Sequence, residues 1–572
     1  MAKSVSIGGE DQLRELRDSL ASWEKKYQDR FKKERRPEEE FVDDSGIKIN
    51  RLYTPLDLEA KGFDYMEALG LPGEYPYVRG ITPGGYRERL WRVSHPSGYA
   101  LPEDTNKLWK AAIQAGLNQC HIIYDLPTQL GLDPDHPRAE GEVGRVGVSL
   151  VSQRDWEVAF DGIDLSKIRV SQTAIAMGVI GIANYLCLAK KQGLDWRTLD
   201  SSCQNDILKD YVARGTYIFP PTPSVRLVID CLGFCAEHAP RYQALQVCSV
   251  QYSESQMTPV HEAAFTLADA FCYLQAAVDR GIDIDRIAPG IEFLTQNEHY
   301  GFFQEIAKHR AIRKIYSKAL KDRFGAKKPE SMMCRFHIVQ GGNSLQRQQY
   351  LNNIVRSAIA GLGAVMAGAQ HVNLRPYDER FGIPTEEALI TNVRLQHVLA
   401  QETGITDTVD PLAGSYFVEW LTCEFEEKIN KELEAIDARG GVIKCIENGY
   451  MKRILVQDAY EWQKDFESGK VIRVGVNFYP SEEEERPVRI YRADPIVEQQ
   501  RIDSVRELKK KRDNGRVKKA LDEVRVVASL PPLAQNNLMP PLMEAVDAYA
   551  TVGEICDALR EVWGEFRQTN VF

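Results

Sequence analysis

Short apolar runs alternate with longer amphipathic stretches between about residues 90 and 400, and this alternation constrains the fold most. Between the runs lie segments such as 259–280 and 302–324, where apolar residues recur every three or four positions, as on one face of a helix. Strands that alternate with helices form parallel sheets. Eight runs read as strands: residues 91–95, 120–124, 168–173, 199–204, 245–250, 287–293, 333–338 and 371–374.

Eight strand and helix units of this size predict an α/β fold, a (β/α)8 TIM barrel, with an open doubly wound sheet as the alternative. Residues 1–45 are predicted to form a charged helical arm, because Glu, Lys and Arg dominate there. Residues 46–410 would form the barrel. Residues 411–572, where long helical patterns replace the strand runs, would form a mostly helical linker region.

Composition narrows the class of protein. The chain has 572 residues and a net charge of −10, so it can bury more than one core and lacks the basic character of a nucleic-acid binder. No stretch has the apolar length of a signal peptide or a membrane span, which predicts a cytoplasmic protein that does not enter the membrane. The 11 cysteines and 10 histidines are dispersed, and no metal site is predicted.

In such a barrel the reactive groups sit where strands run into the loops that follow them. The residues predicted there include few acids or bases: Pro96, Ile123, Ser171, Thr173, Gln204, Gln251, Gly290 and Glu292. The chain shows no convincing Ser-His-Asp set, no carboxylate pair and no phosphate-binding GxxxxGK[ST] motif. A site of this composition suits chemistry that a cofactor performs.

Several ordered motifs resemble the large subunits of adenosylcobalamin-dependent acyl-CoA mutases, the family headed by methylmalonyl-CoA mutase. The resemblance covers about residues 50 to 568. Its strongest pieces are LPGEYPYVRG at 71–80, YDLPTQLGLDPDHP with EGEVGRVGV at 124–148, QNDILKDYVARGTYIFPPTPSVR at 204–226, EAAFTLADA at 262–270 and ETGITDTVDPLAGSYFVEWLT at 402–422.

The family combines a substrate barrel with a cobalamin-binding domain, whose cobalt-ligating Asp-x-His-x-x-Gly signature does not occur in this chain. The resemblance therefore implies that a small separate subunit ligates the cobalt of adenosylcobalamin and docks over the barrel mouth. It also implies a heterotetramer that contains a homodimer of large subunits, and a radical rearrangement of the carbon skeleton of an acyl-CoA.

The resemblance assigns cofactor contacts to one set of positions. Tyr124 stands where the family usually has Phe, and Asn343 where it has Trp. The other positions match the family as they stand: Gly98, Leu126, Arg214, Glu254, Gly342 and Glu379.

Substrate positions divide into matched and changed ones. The matched set is Arg89, Ser171, Thr173, Gln204 and Arg214. In the family the arginine at Arg214 holds the free carboxylate of malonyl or succinyl groups, which favours a dicarboxylic acyl-CoA. An acidic residue at Ile123 marks the members that act on hydroxylated acyl groups, so a hydroxylated substrate is disfavoured.

The changed positions suggest a different substituent. Pro96 replaces a tyrosine that lies between substrate and adenosyl group, and Gly290 and Glu292 replace an arginine and a serine. We expect the vacated space to take a bulky apolar group, as in benzylmalonyl-CoA. Alternatively, Arg92, His95 or His121 fills it, and the substrate is methylmalonyl-CoA or another short acyl-CoA.

Gln251 stands at the family's active-site histidine and can donate a hydrogen bond to the thioester oxygen, but it cannot become cationic. Gln251 and Arg214 are thus the expected catalytic residues. A non-catalytic homologue that acts as a partner-binding subunit is a second possibility, because so many substrate positions have changed. A cobalamin-independent barrel lyase is a third, which the lack of a metal or base constellation weakens.

Overall fold

The computed structural model describes residues 9–33, 37–98, 100–114, 116–382, 384–481 and 495–568. Within these ranges the chain forms nine parallel strands. The strands are β1 Arg92–Val93, β2 His95–Ser97, β3 Gln119–Ile123, β4 Arg169–Thr173, β5 Ser202–Cys203, β6 Leu245–Cys248, β7 Ile291–Asn297, β8 Phe336–Gln340 and β9 His371–Asn373.

The helices fall into three groups along the chain. Two precede the strands: α1 Glu10–Phe31, within the predicted arm, and α2 Pro55–Ala60. Those between and directly after the strands are α3 Pro102–Gln114, α4 Leu126–Gln129, α5 Gln153–Ala159, α6 Gly178–Lys191, α7 Pro221–His238, α8 Val250–Glu254, α9 Pro259–Val278, α10 Ile284–Ile287, α11 Phe302–Asp322, α12 Pro329–Met332, α13 Asn352–Met366 and α14 Glu386–Glu402. The last group is α15 Tyr416–Ala438, α16 Val442–Glu447, α17 Tyr450–Glu467, α18 Pro495–Lys511, α19 Asn514–Ser529, α20 Met539–Asp547 and α21 Val552–Trp563.

The strands close into one ring. Two sheets have the orders β1-β9-β8-β7-β6 and β2-β3-β4-β5. Only Ser94 separates β1 from β2, so these two short strands act as one strand of the barrel that belongs to both sheets. On the opposite side, a parallel bridge between Ser202 and Gln243 joins β5 to the start of β6. The predicted eight-membered barrel is therefore confirmed, and the open sheet is not formed.

One predicted strand is displaced. The run 287–293 was expected to be a strand, but Ile287 ends α10, residues 288–290 form a 3-10 turn, and β7 spans Ile291–Asn297. The Asp283 carboxylate accepts from the backbone N–H of Asp285 and starts the short helix, and Pro289 lies in the turn that follows it. Gly290 and Glu292 consequently lie at the amino end of β7, and the prediction that they lie at its carboxyl end is wrong.

The C-terminal helices pack on the outside of the barrel. Helix α15 contacts α9 and α11, and α20 contacts α6. The Arg226 guanidinium on α7 donates to four backbone carbonyls of the C-terminal region, those of Val527, Ala528, Leu530 and Asn536, at 2.7 to 3.2 Å. None of the described helices is long and apolar enough to cross a bilayer.

Candidate active site

Side chains on a strand alternate between the two faces of the sheet, and this alternation sorts the barrel residues. On β8, Phe336 and Ile338 belong to the main hydrophobic core, whereas His337 contacts residues of other strands across the barrel axis. The same alternation directs Arg169, Ser171 and Thr173 of β4 inward. The inside of the barrel, here called the lumen, is thus lined by every second residue of each strand.

A network of charges crosses the amino end of the lumen. We call the charged residues Arg92, Arg169, Asp200 and Glu292, together with His371, which contacts Glu292 as a neutral ring, the charged belt. Arg169 bonds to Asp200, and its Nη2 donates to Glu292 Oε2 at 3.4 Å. His371 Nε2 lies 3.4 Å from Glu292 Oε1, and Arg92 donates to Asp200 at 2.6 Å. Because these residues come from strands around the whole ring, the belt bridges the barrel axis.

The belt residues also line a cavity of about 370 Å³ at the amino end of the barrel. Seven arginines line this cavity against four carboxylates, and the exposed Arg89 is among them, together with Arg92 and Arg169 of the belt. The closeness of Arg92 lowers the pKa of Arg89. Burial opposes ionisation of Asp200, but Arg92 and Arg169 hold its pKa below the usual value. The cavity is therefore suited to an anionic group.

Three buried histidines form a column through the lumen. The rings of His121 and His337 are 6.0 Å apart, and those of His337 and His371 are 5.3 Å apart. His121 Nε2 is 2.8 Å from Thr173 Oγ1, and His337 Nε2 is 3.3 Å from Ser94 Oγ. Burial, together with nearby Arg375 and Arg169, lowers the pKa of His121 to about 3. Burial also lowers the pKa of the other two, so the column is neutral near neutral pH.

Several predicted substrate residues do meet at the carboxyl end of the lumen. Ile123 ends β3, Thr173 ends β4 and Gln204 directly follows β5. Ser171, one layer deeper, accepts from Ser202 Oγ at 3.1 Å. Gln204 is 1% exposed, and its Nε2 has no hydrogen-bond partner among the described residues. A buried donor without a partner costs free energy, which a ligand oxygen would recover.

The two expected catalytic residues lie past the ends of neighbouring strands. Gln251 is the second residue of α8, and its Oε1 accepts from Cys248 Sγ at 3.4 Å. Arg214 ends a π-helical turn, Asp210–Arg214, that contacts α8. Its side chain is exposed and has no ion-pair partner within the described ranges.

Four predicted cofactor residues form one arc of the barrel mouth. The Glu254 carboxylate accepts from the backbone N–H groups of Gly342 and Asn343, and Asn343 Nδ2 donates to the Glu254 carbonyl at 3.1 Å. Glu379 pairs with Arg375 at 3.3 Å. Burial raises the pKa of Glu379, Arg375 opposes this, and the Glu254 charge adds to it. The loops after β6 and β8 are thereby held together, and Arg375 Nε joins the loop after β9 to them by donating to the Gln340 carbonyl at 3.0 Å.

Three other predicted cofactor residues follow β2 and β3, whereas Arg214 follows β5. Leu126 at the start of α4 is 39% exposed, although it is apolar. Gly98 has a φ of +129°, and a Cβ there would lie 3.0 Å from the Ile123 carbonyl oxygen. The Tyr124 ring is fully buried behind the strand, where its hydroxyl donates to Gln172. The side chain of Pro96 lies outside the described part of the structure, but its backbone pairs with His121.

Sequence reasoning missed most of the lumen. Arg169, His337, His371 and Asn373 were not predicted as site residues, yet all are buried and three of them bond across strands. Asn373 is fully buried, and neither atom of its amide group has a partner among the described residues. A usable signal existed, since each is a polar residue at an alternate position of an apolar strand.

Comparisons with known proteins agree with this architecture. The family described as Methylmalonyl-CoA mutase matches residues 42–565. The 2-hydroxyisobutanoyl-CoA mutase large subunit of Aquincola tertiaricarbonis is 38% identical over 559 residues, which cover 98% of each chain. The methylmalonyl-CoA mutase of Rhizobium meliloti is 36% identical over 91% of this chain and 72% of its own length. The methylmalonyl-CoA mutase large subunit of Streptomyces virginiae is 34% identical over 91% of this chain and 70% of its own length. The chain therefore belongs to the methylmalonyl-CoA mutase family, which confirms the resemblance and the acyl-CoA mutase class that the sequence predicts.

Proposed function

We propose that the chain is the large subunit of an adenosylcobalamin-dependent mutase that rearranges a dicarboxylic acyl-CoA with a bulky apolar substituent, of the benzylmalonyl-CoA type. The observation that carries the proposal is the order of groups along one axis. A basic cavity lies at the amino end, polar side chains including Gln204 and Gln251 line the carboxyl half, and the arc of Glu254 and Glu379 lies at the mouth.

The cavity at the amino end suits the phosphorylated end of coenzyme A. Arg89 is exposed, and Arg92 and Arg169 lie in the same cavity wall. Guanidinium groups bind phosphate oxygens in a bidentate manner. An acyl-CoA whose phosphates bind in this cavity would extend its thioester and acyl group along the axis towards Gln251.

Within the lumen the residues have distinct tasks. Gln251 donates a hydrogen bond to the thioester oxygen, and Arg214 pairs with the free carboxylate once the acyl group is bound. Ile123 is half-buried and apolar at the end of β3, which disfavours a hydroxylated acyl group. This separates the proposed substrate from the one that names the Aquincola relative.

The residues at the mouth fit a large, partly apolar cofactor. Leu126 is exposed, a side chain is absent at Gly98 and Gly342, and Asn343 Oδ1 is buried without a hydrogen-bond partner among the described residues. When bound, adenosylcobalamin would supply the radical chemistry that abstracts a hydrogen atom from the acyl group. Gly98, Glu254, Asn343 and Glu379 would hold and orient it and help to exclude water.

The chain is matched almost end to end by a relative named as a large subunit, which supports a separate small subunit that carries the cobalt ligand. We place two copies of each subunit in a heterotetramer. The test mixes the purified chain with a small cobalamin subunit and adenosylcobalamin, and then separates the complex by size. A retained corrin spectrum is expected, and loss of the spectrum from the complex would overturn the proposal.

The substrate is tested by an anaerobic screen of methyl-, ethyl-, benzyl- and alkylmalonyl-CoA or succinyl-CoA, with mass spectrometry of the isomers. We expect the fastest turnover with a bulky substituent. Faster turnover of methylmalonyl-CoA would establish the short-chain alternative.

The charged belt favours one further candidate, a non-catalytic subunit that only binds a partner. Since the belt bridges the axis, a thioester arm cannot pass without displacing Glu292 or Arg169. Binding of coenzyme A to the isolated chain, measured by calorimetry, distinguishes the two. Micromolar binding supports the mutase, whereas absence of binding supports the partner-binding subunit.

A further inference from the structure

One wall of the carboxyl half of the lumen is apolar. Cys248 of β6, Leu294 of β7, Val339 of β8 and Val250 of α8 form a hydrophobic cluster that is separate from the main core. All four are at most 8% exposed. We call this cluster the apolar wall.

The apolar wall faces the barrel axis and not the surrounding helices. Its strand neighbours Val247, Phe293 and Ile338 belong to the main core outside the strands. Since successive side chains alternate, Leu294 and Val339 lie on the inner face, one layer above Glu292 and His337. The separation of the two clusters thus reflects the barrel wall that lies between them.

The opposite side of the lumen is polar. Thr173 contacts His121, Ser171 contacts Ser202, and Gln204 carries an unpartnered amide. At the edge of the apolar wall itself, Asn373 of β9 is the register partner of Val339 and carries a buried amide without a partner among the described residues. The lumen is therefore amphipathic. A ligand that forms hydrogen bonds with its polar side would place its hydrocarbon against the apolar wall.

Gln251 lies where the two faces meet. It follows Val250 of the apolar wall directly, and its Oε1 accepts from the Cys248 thiol. A thioester carbonyl held by Gln251 would therefore have the apolar wall beside it. The group attached to the neighbouring carbon of the acyl chain is the one that would contact Leu294 and Val339.

We propose that the apolar wall receives the hydrocarbon substituent of the acyl group, and that Val339 and Leu294 set its permitted length. This rests on the proposed function, since it takes an acyl-CoA as the ligand. The substituent is an alkyl or aryl group without a polar atom at its far end. Each methylene buried against the wall should tighten binding about fourfold.

The test measures the affinity of the full-length chain for coenzyme A and for acetyl-, butyryl-, hexanoyl- and 3-phenylpropionyl-CoA. Wild-type affinity should rise with chain length. Val339→Phe adds bulk to the wall and should abolish the gain for the hexanoyl and phenylpropionyl groups, while coenzyme A itself binds as before.

Two further variants keep the test decisive. Val339→Thr has nearly the same shape and should fold if the phenylalanine variant does not, and its hydroxyl should reduce the gain per methylene. Ile338→Val, on the outer face of the same strand, is the matched control and should keep the wild-type length dependence. Equal length dependence in wild type and both Val339 variants would overturn the assignment of the wall.

The outcomes also separate this proposal from the proposed function. If coenzyme A and the thioesters bind but affinity does not depend on chain length, only the apolar wall is refuted. If neither coenzyme A nor any thioester binds, the proposed function fails and the wall has no acyl ligand to receive.

Discussion

Arg169 on β4 donates to Glu292 on β7 across the lumen, although these two strands are not neighbours in the ring. Glu292 also accepts from Gln246 Nε2 at 2.5 Å and faces His371. A single buried carboxylate, 2% exposed, is thus the shared partner of three strands.

Removal of that carboxylate should destabilise the barrel. Glu292→Ala leaves Arg169 with Asp200 as its remaining partner and removes the carboxylate acceptor of Gln246, so we expect a loss of about 2 to 3 kcal/mol in the free energy of unfolding. Urea denaturation measures this. Asp522→Ala breaks the surface pairs with Lys518 and Arg525 and serves as the control, for which no measurable change is expected. An equally small effect of both variants would show that the belt contributes nothing to stability.

Acidification should destabilise the protein through the histidine column. The pKa values of His121, His337 and His371 are lowered by burial, so the unfolded chain binds protons below pH 6.5 that the folded chain does not. Above pH 6.5 each of these histidines makes its full contribution to the free energy of unfolding. It falls by up to about 1.4 kcal/mol per pH unit as the pH drops towards the lowered pKa.

Carboxyl groups also take up protons in this pH range, so the contribution of the histidines is measured as the difference between two histidine variants. His121→Asn should reduce the loss of stability between pH 6.5 and pH 5, measured by urea denaturation at each pH. The exposed His397→Asn is the control and should retain the wild-type loss. The same loss in both variants would mean that His121 is not kept neutral by its surroundings.

Gly98 should not tolerate a side chain. Its φ is +129°, and a Cβ would press on the Ile123 carbonyl oxygen, so Gly98→Ala should cost about 1 to 3 kcal/mol and perturb the mouth. Gly233→Ala in α7 is the contrast, because its nearest neighbour would be 3.6 Å away and a helical alanine is favourable. Thermal unfolding should rank Gly98→Ala below wild type and Gly233→Ala at or above it; the reverse order would contradict the backbone argument.

Arg214→Gln should affect catalysis and not folding. The side chain is exposed and carries no ion pair within the described ranges, so the unfolding midpoint should stay unchanged. Loss of a guanidinium and carboxylate pair should lower kcat/KM for a dicarboxylic acyl-CoA about 100-fold. The value for a monocarboxylic acyl-CoA should change little. Equal losses for both substrates would exclude the carboxylate contact.

The fold could be predicted because the barrel depends on periodicity, which one sequence displays. Eight apolar runs between helices indicated the ring, and seven of them were placed within a few residues. The strand at β7 was displaced because Ile287 and Ala288 read like the start of a strand, although Asp283 and Pro289 make them parts of short turns.

The site was less predictable. Four site residues could be predicted because reactive groups of a barrel lie where strands end, and strand ends can be located along the chain. These residues are Ile123, Thr173, Gln204 and Gln251. The charged belt joins residues of non-adjacent strands, and the apolar wall depends on which face each side chain takes. A shift of one residue in a strand exchanges the two faces, so neither could be deduced from strand limits uncertain by one or two positions.

The contacts of Arg226 bear on how the C-terminal region can vary among related proteins. All four of its acceptors are main-chain oxygens, which every amino acid supplies. The docking of residues 527–536 on α7 is therefore indifferent to most substitutions in that segment. Selection should act on the one arginine, while the segment that it holds is free to drift.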